Sequence, residues 1–350
     1  MPETTQRRRR HYVPDPQKTV RLWERDLTIL AAVYRYRFLA SNHILTLIDG
    51  SSQHLLKRLR ALMDGGYLMR IRDPEPRAVN SGSTAKIYGI TNLGASALDA
   101  GGFVPRDRVN WNRRNGEVSD PQTGIGMKVV PHTLLVASIM TEIERCALDS
   151  NGAVRFIDQN EILATLVPER IRSSRSPFSW QVTVPYPRRH HFGNGEVEMR
   201  LETRRVGVAP DRVFGLQFRD RPEGQNKLFF FLEADRGGMP VIRSDLEATS
   251  IFKKLLAYCG TWAQGIHRER LGLKSFQVLT VTQSRERVAR MAEAFKLIDE
   301  KVMVAWDKRC EARVFRFDAR ASATPGRLLK YDWVNGRGTP APLVSIPDDL

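Results

Sequence analysis

The stretch SSQHLLKRLRALMDGG, Ser51 to Gly66, predicts an amphipathic helix. At ~100° per residue its apolar side chains form one stripe, which contains Leu55, Leu56, Leu59, Leu62 and Met63. The opposite face carries hydrogen-bonding and cationic side chains, namely Gln53, His54, Lys57 and Arg58. Ser51 or Ser52 can cap the start of the helix, and the glycine pair that closes the stretch can end it. We therefore expect a helix that packs through one face and presents a basic face outward.

Two helices are predicted before this stretch and two strands after it. Apolar residues within Arg21 to Leu39 predict the first helix, and a second helix begins at Ser41. YLMRI (Tyr67 to Ile71) and KIYGI (Lys86 to Ile90) predict strands, and the segment between them is rich in Pro, Gly and Ser. Three helices followed by a hairpin with a polar loop resemble a winged helix-turn-helix. The sequence thus predicts this fold over residues 20–102.

A helix with this outer face suits the major groove of DNA. Arg and Lys pair there with guanine edges, and Gln or Asn pairs with adenine. The helix residues expected at this interface are Gln53, His54, Lys57 and Arg58. The residues of the hairpin and its loop expected to contact the DNA backbone are Arg70, Arg72, Arg77 and Lys86. The alternative is that these charges form an ordinary solvated surface.

The net charge of +16 and the pI of about 10.1 indicate a polyanionic partner. Residues 1–110 contain 18 Lys and Arg against 10 Asp and Glu, a net +8, so half of the excess lies in under a third of the chain. Part of it is the run Arg7 to Arg10 in a basic arm, residues 1–19, which either follows DNA or only aids solubility. Together with the predicted winged helix, the charge favours double-stranded DNA over RNA or an acidic membrane.

The composition argues against several classes of protein. No apolar run approaches the ~20 residues of a membrane-spanning helix, so no membrane partner is expected. The basic N-terminus has no apolar stretch behind it, which argues against a secretory signal. Cys146, Cys259 and Cys310 show no CxxC spacing, which predicts buried thiols in a reducing compartment. We therefore expect a cytoplasmic protein.

The residues after the predicted winged helix indicate a second domain. Pro, Gly, Asn and charged residues predict a linker over 103–130. Apolar strands alternate with helices from 131 to 320, which predicts an α/β domain with a buried, partly parallel sheet. The tail, 321–350, contains several prolines and is expected to be irregular. The predicted class is therefore α/β, or α+β when both domains are counted.

Three carboxylates are predicted at the ends of neighbouring strands of that domain. Asp211 follows Pro210 at the entry of one strand, and Glu233 and Asp235 lie two residues apart at the end of the next. Their charges are unfavourable together unless a cation neutralises them. Oxygen ligands of this kind suit Mg²⁺ or Mn²⁺, which could orient water against a phosphodiester. The predicted metal ligands are thus Asp211, Glu233 and Asp235.

The order of these residues resembles the core of the PD-(D/E)XK nucleases. Pro210 and Asp211 match its first part and Glu233 its second, whereas Asp235 stands where the motif has a lysine. A lysine from the following predicted helix, either Lys253 or Lys254, could supply the missing amine. The resemblance implies a metal-dependent endonuclease whose candidate catalytic residues are Asp211, Glu233, Asp235 and Lys253.

A purely structural explanation of the same residues stays open. Lys253 and Lys254 could be an exposed pair on an amphipathic helix rather than catalytic groups. Asp235 could form an ion pair with an arginine nearby in sequence, either Arg236 or Arg243. The fold could then serve DNA docking without cleavage.

Several longer segments resemble the replication-relaxation family of plasmid and mobile-element proteins. They are RDLTILAAVYRYRFLASNHILTL, KIYGITNLGASAL, HTLLVASIMTEIE, PDRVFGL and FFLEADRGGMP, and the resemblance covers roughly residues 20 to 300. It implies a winged helix-turn-helix joined to a nuclease-like domain, with roles in plasmid replication and DNA relaxation. Replication or mobilisation proteins are the protein partners that it implies.

Three functions follow as hypotheses. The first is a DNA-binding initiator or accessory factor of a mobile element, the second an endonuclease targeted by its winged helix, and the third a winged-helix transcriptional regulator. A homodimer is open in each case, although no coiled-coil heptads are present. A tyrosine-type relaxase is not favoured, since only His190 and His191 adjoin each other, in a predicted loop rich in Pro and Arg.

Overall fold

The computed structural model describes residues 19–71, 85–103, 129–191, 193, 197–243, 248–306, 308–319 and 332–343. Arg72, Arg77, the run Arg7 to Arg10 and most of the predicted linker lie outside these ranges. The internal contacts divide the chain into unit 1, Met1–Thr141, and unit 2, Glu142–Leu350. This division lies further along the chain than the sequence-based boundary at residue 131.

Unit 1 contains the predicted helices and strands, together with one short strand that was not predicted. Its elements are α1 (Glu24–Tyr36), β1 (Phe38–Ala40), α2 (Ser41–Leu47), α3 (Ser52–Asp64), β2 (Leu68–Ile71), β3 (Ile87–Ile90) and α4 (Asn92–Ala100). The three strands form an antiparallel sheet in the order β1-β3-β2. The first helix ends before the predicted Leu39, because Arg37 adopts a left-handed φ of 67° and the chain then extends into β1.

The apolar stripe of α3 packs into unit 1 through four of its five predicted members. Leu55, Leu59, Leu62 and Met63 are buried, whereas Leu56 is 44% exposed, so its predicted place in the core is wrong. Leu56 lies at the edge of the stripe, where a rotation of ~100° from Leu55 carries the side chain toward solvent. The helix therefore has an apolar residue on its outward side.

Helix α5 (Val129–Leu148) contains the division between the units. Near its start, Val130 is buried with Phe38, Ile71 and Ile87, and Leu134 packs against the same cluster. The first half of this helix therefore contributes to the core of unit 1.

Unit 2 is built on a mixed seven-stranded sheet, which confirms the predicted α/β class and its partly parallel sheet. The strands are β4 (Val154–Ile157), β5 (Trp180–His191), β6 (Val197–Val208), β7 (Arg212–Phe218), β8 (Lys227–Ala234), β9 (Gln277–Thr282), β10 (Phe315–Ala319), β11 (Asp332–Asn335) and β12 (Pro340–Pro342). The helices are α6 (Gln159–Thr165), α7 (Glu169–Arg172), α8 (Ile251–Ala263), α9 (Ile266–Leu271) and α10 (Arg285–Lys301). Two short 3-10 turns, Met303–Ala305 and Ala312–Val314, precede β10.

The sheet order is β12-β11-β10-β9-β8-β7-β4, and β5 pairs with β6 in a separate sheet. Strand β9 is parallel to β8 and to β10, while the remaining pairs of the large sheet are antiparallel. Helices α8 and α9 connect β8 with the parallel β9, as a crossover connection requires. Ser250 and Ser284 begin α8 and α10, since each side chain accepts a backbone N–H of the first turn.

The C-terminal tail is not irregular throughout, contrary to the prediction for residues 321–350. Strands β11 and β12 extend the large sheet, and Trp333 in β11 is fully buried. Pro340 and Pro342 lie in β12 at the edge of the sheet, where a missing backbone N–H is tolerated. The prolines of this segment therefore led to a wrong prediction of irregular structure.

Two smaller predictions can be compared with the structure. Cys146, Cys259 and Cys310 are buried, as the sequence predicts. Within the described ranges, every helix is too short or too polar to cross a bilayer.

Candidate functional site

The outward face of α3 is the first candidate site. Gln53, His54 and Lys57 are exposed, and Arg60, which the sequence analysis did not single out, is exposed as well. Gln53, Lys57 and Arg60 are spaced i, i+4 and i+7, so they share one face of the helix. The same periodicity that placed Lys57 on the outer face could have identified Arg60.

Arg58 differs from its exposed neighbours on α3, because its guanidinium is bound to other residues of unit 1. Its guanidinium contacts both carboxylate oxygens of Asp26 at 2.6 Å and also donates to the carbonyl of Arg21. Asp26 is buried in α1 and accepts the Trp23 backbone N–H at 2.7 Å at the start of that helix. A two-point pair of this kind fixes geometry, so Arg58 holds α3 on α1 rather than projecting freely toward DNA bases.

Two basic residues of the hairpin are described, one on β2 and one just before β3. Arg70 is exposed on β2, where it pairs in register with Tyr88 of β3, and Lys86 is exposed just before β3. Arg72 and Arg77 fall outside the described residues.

The strand-end carboxylates of unit 2 are the second candidate site. Asp211, just before β7, accepts the backbone N–H of Ala234 at 2.8 Å, and its own N–H donates to the carbonyl of Leu232 at 2.9 Å. These two bonds hold Asp211 beside the end of β8, next to Glu233. The predicted approach of Asp211 to Glu233 is therefore present in the structure.

Glu233 is almost completely buried, with 5% of its surface exposed, and both of its oxygens have donors. Lys254 and Tyr258 donate to Oε2 and Oε1, respectively. Both donors lie on α8 with i, i+4 spacing, so one face of the helix serves the carboxylate. Of the two lysines that the sequence offered, Lys254 makes this contact and the candidate catalytic residue Lys253 does not. The backbone N–H of Lys253 donates to the capping Ser250 at 3.1 Å.

The protonation of this cluster follows from burial and charge. Burial raises the pKa of Glu233, and although the charge of Lys254 opposes this rise, the pKa stays above its ordinary value. Burial alone would lower the pKa of Lys254, but the charges of Glu233 and Asp211 raise it overall. Burial and the charge of Glu233 raise the pKa of Tyr258. Lys254 is therefore an ammonium ion and Tyr258 a neutral donor at neutral pH.

Asp235 belongs to a separate group of contacts. Its Oδ2 accepts from the Thr282 hydroxyl at 2.6 Å and from Arg287 Nε, and its Oδ1 accepts from Arg287 Nη2 at 3.0 Å. Burial would raise the pKa of Asp235, but the hydrogen bonds from Arg287 and Thr282 and the charge of Arg287 lower it overall. The observed partner, Arg287 on α10, is neither Arg236 nor Arg243, which the sequence analysis considered.

A divalent cation is implied by the nuclease resemblance, and its fit can be judged from these contacts. The oxygens of Glu233 and Asp235 are occupied by different cationic side chains, so they do not face one shared ion. In the part of the chain that the structure describes, no group of three or more His, Cys, Asp or Glu side chains is placed to hold a metal ion. The observed contacts therefore do not fit a single cation bound by all three carboxylates, those of Asp211, Glu233 and Asp235.

The chain was compared with known families, curated proteins and solved structures. A family model described as replication-relaxation matches residues 30–275. The curated proteins and the solved structures give no significant match. The matched residues include α3, Asp211, Glu233 and Lys254, while Arg287 lies beyond them.

Proposed function

The chain belongs to the replication-relaxation family, and from that premise we propose that it binds duplex DNA through α3. At the level of its family it is a replication-related protein of mobile elements. We further propose that unit 1 is a winged helix-turn-helix in which α3 enters the major groove. Replication or mobilisation proteins of the same element are the partners that we expect.

The order of elements in unit 1 supports this proposal. Helices α2 and α3 are separated only by residues 48–51, and β2 and β3 follow as an antiparallel pair. In a winged helix-turn-helix the second helix of such a pair contacts base edges. Helix α3 has the corresponding place, since α1 and α2 precede it and the hairpin follows it.

The observation that carries the proposal is the exposed face of α3. Gln53 can pair with adenine, and Lys57 and Arg60 can pair with guanine or with phosphate. Leu56 is exposed next to these residues and offers an apolar surface for the methyl group of thymine. Buried leucines hold the helix in place from the other side, so this face is presented as a unit.

Replacing both Gln53 and Lys57 by Ala is expected to weaken binding of the full chain to its preferred duplex by about 30-fold or more, since each of two good base contacts contributes roughly 1–3 kcal/mol and about 1.4 kcal/mol is tenfold. The measurement is a fluorescence anisotropy titration with a duplex selected from a random library. Lys296→Ala is the control, because Lys296 is an exposed lysine on α10 of unit 2. Equal weakening by the control and the double variant would contradict the placement of α3.

DNA cleavage is a second candidate function, and one observation favours it. Lys254 places its amine on Glu233, beside Asp211. These residues lie where β7 begins and the antiparallel β8 ends, before the chain crosses over to the parallel β9. Glu233 would nevertheless have to leave both Lys254 and Tyr258 before it could bind a metal ion. We therefore propose DNA binding without cleavage as the function of the chain.

The full chain is accordingly expected to leave supercoiled plasmid intact in the presence of Mg²⁺ or Mn²⁺. Nicking is followed by agarose gel electrophoresis, with Asp211→Asn and Glu233→Gln prepared in parallel. Nicking by the parent that both variants lose would favour the endonuclease instead. Nicking of equal strength in all three preparations would indicate a contaminant.

A further inference from the structure

The start of α1 is tied by side-chain contacts to α3 and to the turn before it. Arg58 of α3 binds the carboxylate of Asp26, and it also donates to the backbone carbonyl of Arg21. Arg25 donates to the backbone carbonyl of Asp49, in the turn before α3. The start of α1 therefore lies beside α3, between the middle of that helix and the turn that leads into it.

Gly50 makes room for the contact of Arg25 with this turn. Its φ of 125° is one that residues other than glycine rarely adopt. A Cβ at this position would also lie 2.2 Å from Nη2 of Arg25, so a side chain there would displace the guanidinium. Glycine at position 50 therefore favours a fixed position of the start of α1 relative to α3.

Arg21 and Trp23 form an exposed pair at this place. The guanidinium of Arg21 lies over the Trp23 ring, 4.6 Å from its centroid. Trp23 is 56% exposed although its side chain is large and aromatic, and Arg21 is exposed as well. Stacking on a ring holds a guanidinium by its flat face and leaves its N–H groups available to an acceptor. The pair therefore presents a positioned cation next to apolar ring surface.

The acidic residues of the first turn restrict where an anion can bind. Asp26 is paired with Arg58, and Glu24 is exposed in the same turn. These carboxylates already complement the positive end of the helix dipole. An anion is therefore expected at the guanidinium of Arg21 and not at the N–H groups that begin α1.

We propose that Arg21 binds a backbone phosphate of duplex DNA and that Trp23 packs against the adjoining sugar, an inference that rests on the proposed place of α3 in the major groove. A helix with its side chains is about 10–12 Å across and the groove is about 12 Å wide, so such a helix fills the groove. Residues that pack against the side of the helix then meet the sugar–phosphate backbone at the groove edge. Arg21 and Trp23 lie at such a place, and a planar guanidinium suits phosphate.

This contact has a different role from those of Gln53 and Lys57. Phosphate contacts fix the position and register of a protein on the duplex, whereas base contacts select the sequence. Loss of Arg21 should therefore weaken binding to the preferred duplex and to an unrelated duplex by the same factor. Loss of Gln53 and Lys57 should weaken binding to the preferred duplex more.

The first test measures the salt dependence of duplex binding by the full chain with Arg21→Gln. Loss of one phosphate contact lowers the magnitude of the slope of log K against log salt concentration by about 0.9. The contact from Arg58 to position 21 is kept, because its acceptor there is a backbone carbonyl. Arg35→Gln is the matched control, since Arg35 lies over the ring of Tyr36 at 6.0 Å at the other end of α1. We expect the control to keep the parental slope.

The second test locates the phosphate with duplexes that each carry one uncharged methylphosphonate. At one position the substitution should weaken binding of the parent chain but not of Arg21→Gln, since the variant has already lost that contact. Trp23→Ala should reduce the effect at the same position, because the ring no longer supports the guanidinium. Arg21→Lys, which keeps the charge, should restore most of the salt slope and excludes misfolding as the cause.

The outcomes separate this inference from the proposal for α3. A parental salt slope in Arg21→Gln, or the absence of any methylphosphonate position that distinguishes it from the parent, would overturn the Arg21 contact. If the Gln53→Ala, Lys57→Ala variant is weakened in the same experiments, the proposal for α3 stands without it. Absence of duplex binding by the parent chain would overturn both.

Discussion

Replacement of Lys254 by Met is expected to destabilise the chain by about 2–4 kcal/mol near pH 8 and by much less near pH 5. Removal of one partner of a buried ion pair leaves the other charge uncompensated, which costs about 3–5 kcal/mol in fully buried pairs. The side chain of Lys254 is 32% exposed, so a smaller value applies. Of the two donors that the described residues supply to Glu233, Tyr258 would remain.

The pH dependence follows from the direction in which the pKa of Glu233 moves. Burial raises this pKa, and removal of Lys254 abolishes the main opposing charge, so the pKa rises further. A carboxyl group with a raised pKa in the folded state stabilises the fold below its unfolded pKa and loses that contribution as the pH rises. The deficit of the variant should therefore grow from acid to neutral and alkaline pH.

Urea unfolding of the full chain at about pH 5 and about pH 8 measures this effect. Lys296→Met is the control, because Lys296 is 71% exposed and lies 3.7 Å from its partner Glu300. Exposed pairs of this kind contribute less than about 1 kcal/mol. A deficit of Lys254→Met that matches the control, or that is equal at both pH values, would contradict the role of Lys254.

Replacement of Arg287 by Met should have a comparable or larger effect, about 3–5 kcal/mol near neutral pH. Arg287 and Asp235 are both largely buried, and the guanidinium also donates to the carbonyl of Met239. Asp235 would retain Thr282 and the backbone N–H of Gly237 but would lose its counter-ion. Asp235 would then be a buried carboxylate without a counter-ion.

Arg290→Met is the matched control for this prediction, because Arg290 is exposed on the same helix. Exposed substitutions usually change stability by less than about 0.5 kcal/mol. In the parent the pKa of Asp235 is lowered, so its contribution is present above the unfolded pKa and is lost as the pH falls. The deficit of Arg287→Met should therefore shrink in acid, and an unfolding series that shows no difference from Arg290→Met would refute it.

These two ion pairs also mark the limit of what the sequence could predict. Strands β7 to β10 of the large sheet follow from apolar runs such as that of β8, and the helices follow from their apolar periods and serine caps. The partners of Glu233 and Asp235 lie 21 and 52 residues away in sequence. No local pattern selects Lys254 over Lys253, or Arg287 over Arg236, because the choice depends on how α8 and α10 pack on the sheet.

The same reasoning applies to α3. Its helical stripe is fixed by local periodicity, and four of its five apolar positions are buried as predicted. Arg58 and Leu56 lie at the two edges of that stripe, where tertiary contacts decide the environment. Asp26 of α1 binds Arg58, and Leu56 has solvent on its outer side, so neither position could be assigned from the sequence of α3 alone.

The full length of β5 and β6 and the two C-terminal strands escaped prediction for a related reason. Pro185 and Pro187 lie within β5, and prolines also occur at both ends of β12. Each of these strands lies at the edge of its sheet among the described strands, where proline does not interrupt a ladder. Proline argues against a strand only when that strand would lie in the centre of a sheet. A single sequence does not show whether a strand is central or at an edge.

Photo-cross-linking from position 56 tests most directly whether α3 lies on duplex DNA. A photoreactive side chain replaces Leu56 in the full chain, and a second preparation carries it at Val304, an exposed apolar residue of unit 2. We predict a salt-sensitive cross-link to duplex DNA from position 56 and only background from position 304. No cross-link from position 56, or equal yields from both positions, would contradict the proposed binding of DNA through α3.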